Sequence, residues 1–492
     1  MRKILALFLI ALLLIGAFTS CAKKKAPLQE TEDESPVEAP IGDGDNTLDN
    51  NDNNESDDAN GENDGNGGNS GNSGNSGNSG NSESGGNTEN GGNGGNTDNG
   101  GNTENGGNTD NGGNTENGGN TDNGGNTDNG GNGDNSGNGD NSGNGDNNNQ
   151  PAGTPITNIQ ELKDMTLNGN YYLTDDIDLG GAEWTPIGND SSPFTGKLNG
   201  NGHTVSNFVI TNSEKCIGFF GCSTGAVENL KLKNFTISVT NNTESLYVGS
   251  LIGNNSGSVK GCFAEGTLSG NVTSPDFNSS VAVGGIIGYN SNGSITECAA
   301  NCTVSSNSTS KVSCAGGLIG IVKIGSITNC YATGNVEANY NAETTDENSS
   351  AAGGLVGHNS EGVITECYAS GNAKAISNPS GVSFAGGLIG SNMYTVTNCY
   401  ALGNITSVAD TTAFPSCGGA LCGYINSKLT VKVINSYYCN EQIISSSDIY
   451  TYGVEKSIAE IYSSSFHTST LGWSSEIWSF TEGELPTLKA LA

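Results

Sequence analysis

The chain has 492 residues and a formal charge of −34, from 52 acidic against 18 basic residues, and no Arg follows Arg2. A chain this acidic and this poor in Arg is ill-suited to gripping phosphate backbones or anionic membrane surfaces by charge, so no nucleic-acid partner is expected. The average hides three compositions joined end to end.

Met1-Arg2-Lys3 is a short basic head, and "ILALFLIALLLIGAF" behind it is an apolar run too short for a stable membrane span. This is the plan of a secretory signal peptide. Phe18-Thr19-Ser20-Cys21 resembles a bacterial lipobox, with Phe18 where that pattern has Leu, Val or Ile. The resemblance implies a signal peptide over residues 1–20, lipid attached to Cys21, and an exported lipoprotein whose membrane contact is that anchor. A plain cleaved signal or an uncleaved anchor would export the rest equally.

Residues 21–150 read as an acidic linker rich in Gly, Asn, Asp and Ser. From residue 26 to 150 there is no Lys or Arg, and 25 of the acidic residues lie here. Phrases such as "GNSGNSGNSGNS" and "GGNTENGGNTDN" cannot bury enough apolar surface to offset the entropy of ordering, so disorder is expected. A flexible chain of this length spans about 60 Å between its ends. "GGNGDNSGN" is similar to calcium-binding β-roll nonapeptides but lacks their apolar residue, so no ordered roll is expected.

The remaining 342 residues, which carry a net charge of −14, are long enough to bury a core. They repeat themselves. Short motifs end at Gly221, Gly253, Gly288, Gly320, Gly357, Gly390 and Gly423, spaced 32, 35, 32, 37, 33 and 33 residues apart. A column cysteine follows the glycine by 9 or 10 residues at Cys262, Cys298, Cys330, Cys367 and Cys399, and Ser436 takes the sixth place. One half of each repeat is thus nearly fixed in length, while the other varies and loops out on one side. In "ITNCYATGNV", Cys330 and Ala332 fall on one strand face and Tyr331 and Thr333 on the other, and "TGN" offers a turn with positive φ at Gly or Asn. The paired glycines before each Leu or Ile suit a sharp corner with close backbone packing. Repeated short strands of this kind predict an all-β parallel β-helix, or β-solenoid, in which each coil buries its apolar face against its neighbours.

"GGLIG…ITNCYATGNV" resembles the GLUG repeat of bacterial surface proteins, from about Gly218 to Asn440. The preceding "ITNIQELKDMTLNGNYYLTDDIDLGGAEWTPIGN" resembles the cap of such repeats, and "LGWSSEIWSFTEGELPTLKAL" their closing segment. The resemblance implies a cap over 151–217, GLUG-type repeats over 218–440 and closure over 441–492. It also implies a surface-associated, adhesin-like or structural role.

The column cysteines read as buried thiols filling the core, since Cβ atoms stacked about 4.8 Å apart lie beyond the usual disulfide range. Cys216/Cys222, Cys298/Cys302 and Cys417/Cys422 are close in sequence and could pair in an oxidising compartment. Cys298/Cys302 has zinc-like spacing, without an obvious second half, so neither a metal nor a cofactor is expected.

His203, His358 and His467 make no H-E-x-x-H, and no G-x-S-x-G element is present, so no enzyme is expected. Asp175, Asp176 and Asp178 form the best carboxylate cluster for a carbohydrate-active β-helix, with turn and edge-strand chemistry as the plainer reading. Glu297 and Glu366 precede column cysteines, but Lys260, Asn329 and Asn398 take that place in other repeats, which a catalytic pair would not do. Tyr331, Tyr368 and Tyr400 follow the column cysteines and should point outward as a candidate ligand-contact stripe. Such rings stack on sugars or line a protein interface, or else cover a neighbouring loop. The reading is a non-catalytic surface solenoid that binds a glycan or an extracellular protein. A carbohydrate-active enzyme and a passive surface-layer component are the alternatives.

Overall fold

The computed structural model describes residues 151–492 apart from 275–277, 343–347, 380, 411–414 and 427–430. The expected signal peptide, Cys21 and the expected linker lie outside the described residues.

The chain is a parallel β-solenoid with three faces. In one coil, Val312–Gly316 lies on the first face, a glycine corner follows, and Ile319–Thr328 forms the second. A second corner at Asn329–Cys330 leads to Tyr331–Ala332 and Val336–Tyr340 on the third face. Each strand pairs in parallel with its counterpart one coil away: Ile319 meets Val356, Ile327 meets Ile364, and Tyr331 meets Tyr368. Among the described residues the sole antiparallel pair of strands is Trp478–Ser479 with Thr487–Leu488.

The variable half of the repeat falls between the third face and the first. Ser308 leads to Val312 in a few residues, whereas Tyr340 and Ser349 are further apart. The cap-like segment is itself part of the coil. Thr154–Ile156, Asn170–Leu173 and Lys197–Asn199 continue the second-face sheet, and Ile177–Glu183 and Thr204–Ile210 the third. Helix α1, Ile159–Lys163, closes that end. Asn158 Oδ1 caps it by accepting from the Gln160 and Glu161 amides, and Leu162 is fully buried.

The glycine corners work through space rather than through dihedral freedom. Gly316, Gly317, Gly353 and Gly354 are not among the residues with positive φ. A Cβ at Gly357 would stand 2.5 Å from the Gly320 carbonyl oxygen and 2.9 Å from the Ala315 backbone. Leu318, Leu355, Leu388 and Leu421 fill the core behind these corners. Their amides bond from coil to coil, as from Leu318 N to Leu355 O at 2.9 Å. The "TGN" expectation needs correction: Gly334, Gly371 and Gly403 have no positive φ either, and each takes a place against the backbone of the coil before it. The asparagine beside each builds a ladder, with Asn335 Oδ1 accepting from Asn372 N at 3.1 Å and Asn372 Oδ1 from Asn404 N at 2.9 Å.

Candidate functional site

The five column cysteines are at most 1% exposed and carry free thiols. Each thiol of Cys298, Cys330, Cys367 and Cys399 donates to the threonine carbonyl two residues earlier, at 3.1–3.2 Å. Cys330 Sγ also accepts from Cys298 N, and Cys399 Sγ from Cys367 N, both at 3.4 Å. Ser436 repeats the pattern with oxygen: it accepts from Cys399 N at 3.2 Å and donates to Ile434 O at 2.8 Å. Burial pushes the thiols of Cys262, Cys330 and Cys367 well up, and that of Cys302 to about 12, so these sulfurs are poor nucleophiles. Cys330→Ser is expected to cost within about 1 kcal/mol, because Ser436 already performs both bonds. Chemical denaturation of the two chains checks this.

The residue before each column cysteine turns the second corner in the left-handed region. Glu297, Asn329, Glu366, Asn398 and Asn435 have φ of 43–55°, and Gly261 has 61°. Lys260, expected in this set, does not belong to it: it stands two residues before Cys262. It pairs with Thr296, one position earlier, and Gly261 holds the corner. Glu297 and Glu366 are therefore corner residues of separate coils rather than an acid pair. Glu297 takes an ion pair from Lys260 at 3.2 Å. Glu366 is partly buried, which raises its carboxyl. Asn tolerates this backbone better than Glu. Glu366→Asn should stabilise by about 0.5–1 kcal/mol in denaturant melts. A raised folded-state carboxyl costs stability once ionised. The electrostatic part of the gain should therefore shrink as pH falls through the raised folded value toward 4.5, the carboxyl's ordinary value, and be gone below it, where the charge is lost in both states.

Tyr331, Tyr368 and Tyr400 do form an outward ladder, with rings 4.9 and 5.1 Å apart and nearly parallel. They are not an open stripe. Residues 457–491 run back along the solenoid as a strap and cover them. Helix α2, Ile458–Ile461, starts the strap on the Ser457/Glu460 capping box. Phe466 packs on Tyr437 and Tyr400, Trp473 on Tyr400 and Tyr368, and Trp478 on Tyr368 and Tyr331. Tyr368 Oη donates to Pro486 O at 2.9 Å, and Tyr400 Oη meets His467 Nε2 at 3.1 Å. Trp473 and Trp478 donate to Asn398 O and Asn329 Oδ1, both at 3.1 Å, so the corner column is the strap's polar seat. Tyr368 is 2% exposed and Tyr400 fully buried. The candidate ligand stripe is corrected accordingly: chain after residue 456 seals these rings, as in the covering alternative.

The acidic phrase near the cap is held by its own backbone. Asp178 Oδ1 accepts from Gly180 N and Asn207 Nδ2 at 2.8 Å, which lowers its carboxyl. Asp176 Oδ1 accepts from Thr204 N at 2.8 Å and lies 3.3 Å from His203 Nδ1. Asp175 Oδ2 accepts from the Thr174 hydroxyl. Asp176 and Asp178 line a shallow cleft of about 390 Å³ beside Thr157–Gln160. Two of the three carboxylates thus tie turns to the neighbouring coil. Buried His358 is held neutral, its ring pushed down to about 4 by burial and bonded to Ser360 Oγ at 3.0 Å.

Residues 312–337, 348–374 and 385–406 match the GLUG motif. These three coils are GLUG repeats. Over 97 residues the chain is 38% identical to halomucin of Haloquadratum walsbyi, across 19% of this chain and 1% of halomucin. It is also 38% identical over 97 residues to a candidate Gly-rich membrane protein of Evansella cellulosilytica, across 18% of this chain and 11% of that one. The chain therefore spans a small part of either relative. A solved candidate immunoglobulin A1 protease from Bacteroides ovatus is 21% identical, covering 69% of this chain and 94% of that one, with TM-score 0.44. A second solved structure, an IgA1 protease, is 20% identical over 61% of this chain and 21% of its own, with TM-score 0.34.

Ahead of the GLUG coils, the third face carries a feature that sequence reasoning missed. Thr236, Thr267 and Thr303 are in register across three coils, as are Ser238, Ser269 and Ser305, and Thr240, Asn271 and Asn307. All nine point away from the core, and the three Thr236, Thr267 and Thr303 are exposed. Neighbours are about 4.8 Å apart between coils and about 6.8 Å along a strand. Asn307 Nδ2 donates to Asn271 Oδ1 at 2.8 Å, and Asn339 Nδ2 to Asn307 Oδ1 at 3.0 Å, so the amides hold one another flat. The signal lies in the T-x-S-x-[TN] spacing of "TISVT", "TLSGN" and "TVSSN", legible only once the register is known.

Proposed function

We propose that this chain is a bacterial cell-surface lipoprotein. Cys21 carries the lipid, the acidic linker holds the solenoid away from the membrane, and the third face binds a hydroxyl-rich polymer, a glycan above all, without catalysis. The observation that carries the binding reading is the three-by-three grid of Thr, Ser and Asn. A flat lattice of donors and acceptors at fixed spacing suits repeated weak hydrogen bonds to a repeating chain, which gain strength by multivalency. The names of the relatives, halomucin and a candidate Gly-rich membrane protein, support a place at the cell surface.

The full chain on glycan and extracellular-matrix arrays should bind one glycan class saturably. Ser269→Arg, at the centre of the grid, should lower that binding at least about tenfold while leaving the melting temperature unchanged. Cleavage of the bound glycan would replace binding by an enzymatic reading. Silence on every array would leave the solenoid a structural surface component.

A further inference from the structure

The first glycine corner carries two thiols. Cys216 and Cys222 flank it, one on each face, and both are 4% exposed. They do not belong to the core column: Cys216 is in register with Tyr247 and Cys222 with Asn254, and the next coil has Ala282 and Tyr289 there. Cys314 and Cys417 recur further along the Cys216 column, but among the described residues only Cys216 and Cys222 meet a carboxylate as a pair.

A third group converges on them. Asp190 sits in a tight turn fixed by Asn189, whose Oδ1 accepts from the Ser191 and Ser192 amides at 3.0 and 2.9 Å. Its Oδ1 lies 3.5 Å from Cys216 Sγ and 3.2 Å from Cys222 Sγ, and the three atoms are all within 4.8 Å of one another. Its Oδ2 accepts from Lys215 Nζ at 2.5 Å, which turns the other oxygen toward the sulfurs. We infer that Asp190, Cys216 and Cys222 form a binding site for one thiophilic divalent cation such as zinc.

Geometry and charge agree. Zinc–sulfur bonds of about 2.3 Å and a zinc–oxygen bond of about 2.0 Å at tetrahedral angles set sulfur and oxygen about 3.5 Å apart. Two thiolates and a carboxylate carry three negative charges, Lys215 returns one positive charge, and a divalent cation balances the remainder. Each thiol releases its proton as the metal binds, two protons per cation. The Asp190 side chain is 45% exposed, so a water can reach the fourth position. A Cys216–Cys222 disulfide is the competing chemistry, but it would leave Asp190 Oδ1 without both sulfur donors.

The test is an anaerobic titration of the reduced, metal-stripped full chain with Co(II). One equivalent should produce a near-ultraviolet sulfur-to-cobalt charge-transfer band and tetrahedral visible bands, both bleached by one equivalent of Zn(II). Cys216→Ser and Cys222→Ser should each weaken the band sharply, while Cys330→Ser, in the core column, keeps it. Asp190→Asn, at a partly exposed position where folding is not at stake, should weaken Co(II) binding about tenfold or more. The inference is overturned if no band appears at one equivalent, if the band survives both cysteine changes, or if Asp190→Asn binds as tightly as the parent.

Discussion

Trp478→Ala is expected to cost about 3–5 kcal/mol of the strap's docking energy, the range for emptying a buried tryptophan site. Trp478 is fully buried, stacks on Trp473 at 4.6 Å, touches Tyr331 and Tyr368, and donates to Asn329. Alanine leaves the indole's volume empty and the Asn329 oxygen without its donor. Solenoid coils are stabilised chiefly by their neighbours, so the loss should appear locally. In hydrogen exchange, amides of residues 458–491 should lose protection while the strands of the third face keep theirs. Unchanged protection in the strap would mean that it does not rest on this ladder.

Gly357→Ala should destabilise by about 3 kcal/mol, at the top of the range for overpacking. The corner holds the backbones of successive coils against one another, and the added methyl would sit 2.5 Å from the Gly320 carbonyl. Backbone cannot swing aside as a side chain does. The same change at exposed Gly472, where nothing stands within 4 Å, meets no such wall, although its φ of 73° carries its own strain. Denaturant melts of the two variants separate crowding from dihedral cost.

The repeat period made the solenoid legible. Glycines every 32–37 residues and cysteines 9 or 10 behind them fixed which residues stack, and the alternation around Cys330 fixed which side is buried. Dihedrals were less legible. Close backbone packing at the paired-glycine corners was legible, but glycine also suggested positive φ in "TGN", where close approach is the reason instead; at the second corner the left-handed residues are Asn, Glu and Gly261 before the column. Lys260 stands two residues before Cys262, so the place equivalent to Glu297 falls to Gly261. Strand alternation placed the tyrosines outward, but what covers an outward residue is decided by chain far away in sequence: Tyr368 meets Pro486 across 118 positions. The buried bond from Asn255 Nδ2 to Asn290 Oδ1 at 2.8 Å likewise joins residues 35 positions apart. Asp190 with Cys216 and Cys222 needed a contact across 26 to 32 positions.

The most direct measurement is a binding titration of the preferred glycan against three full-length chains: the parent, Ser269→Arg and Tyr331→Ala. Tyr331 is the least buried of the three ladder rings, so its loss should leave the coils folded. The account predicts that Ser269→Arg loses binding and Tyr331→Ala keeps it. Binding kept by Ser269→Arg and lost by Tyr331→Ala would contradict it, and would return the ligand to the aromatic ladder beneath a strap that opens.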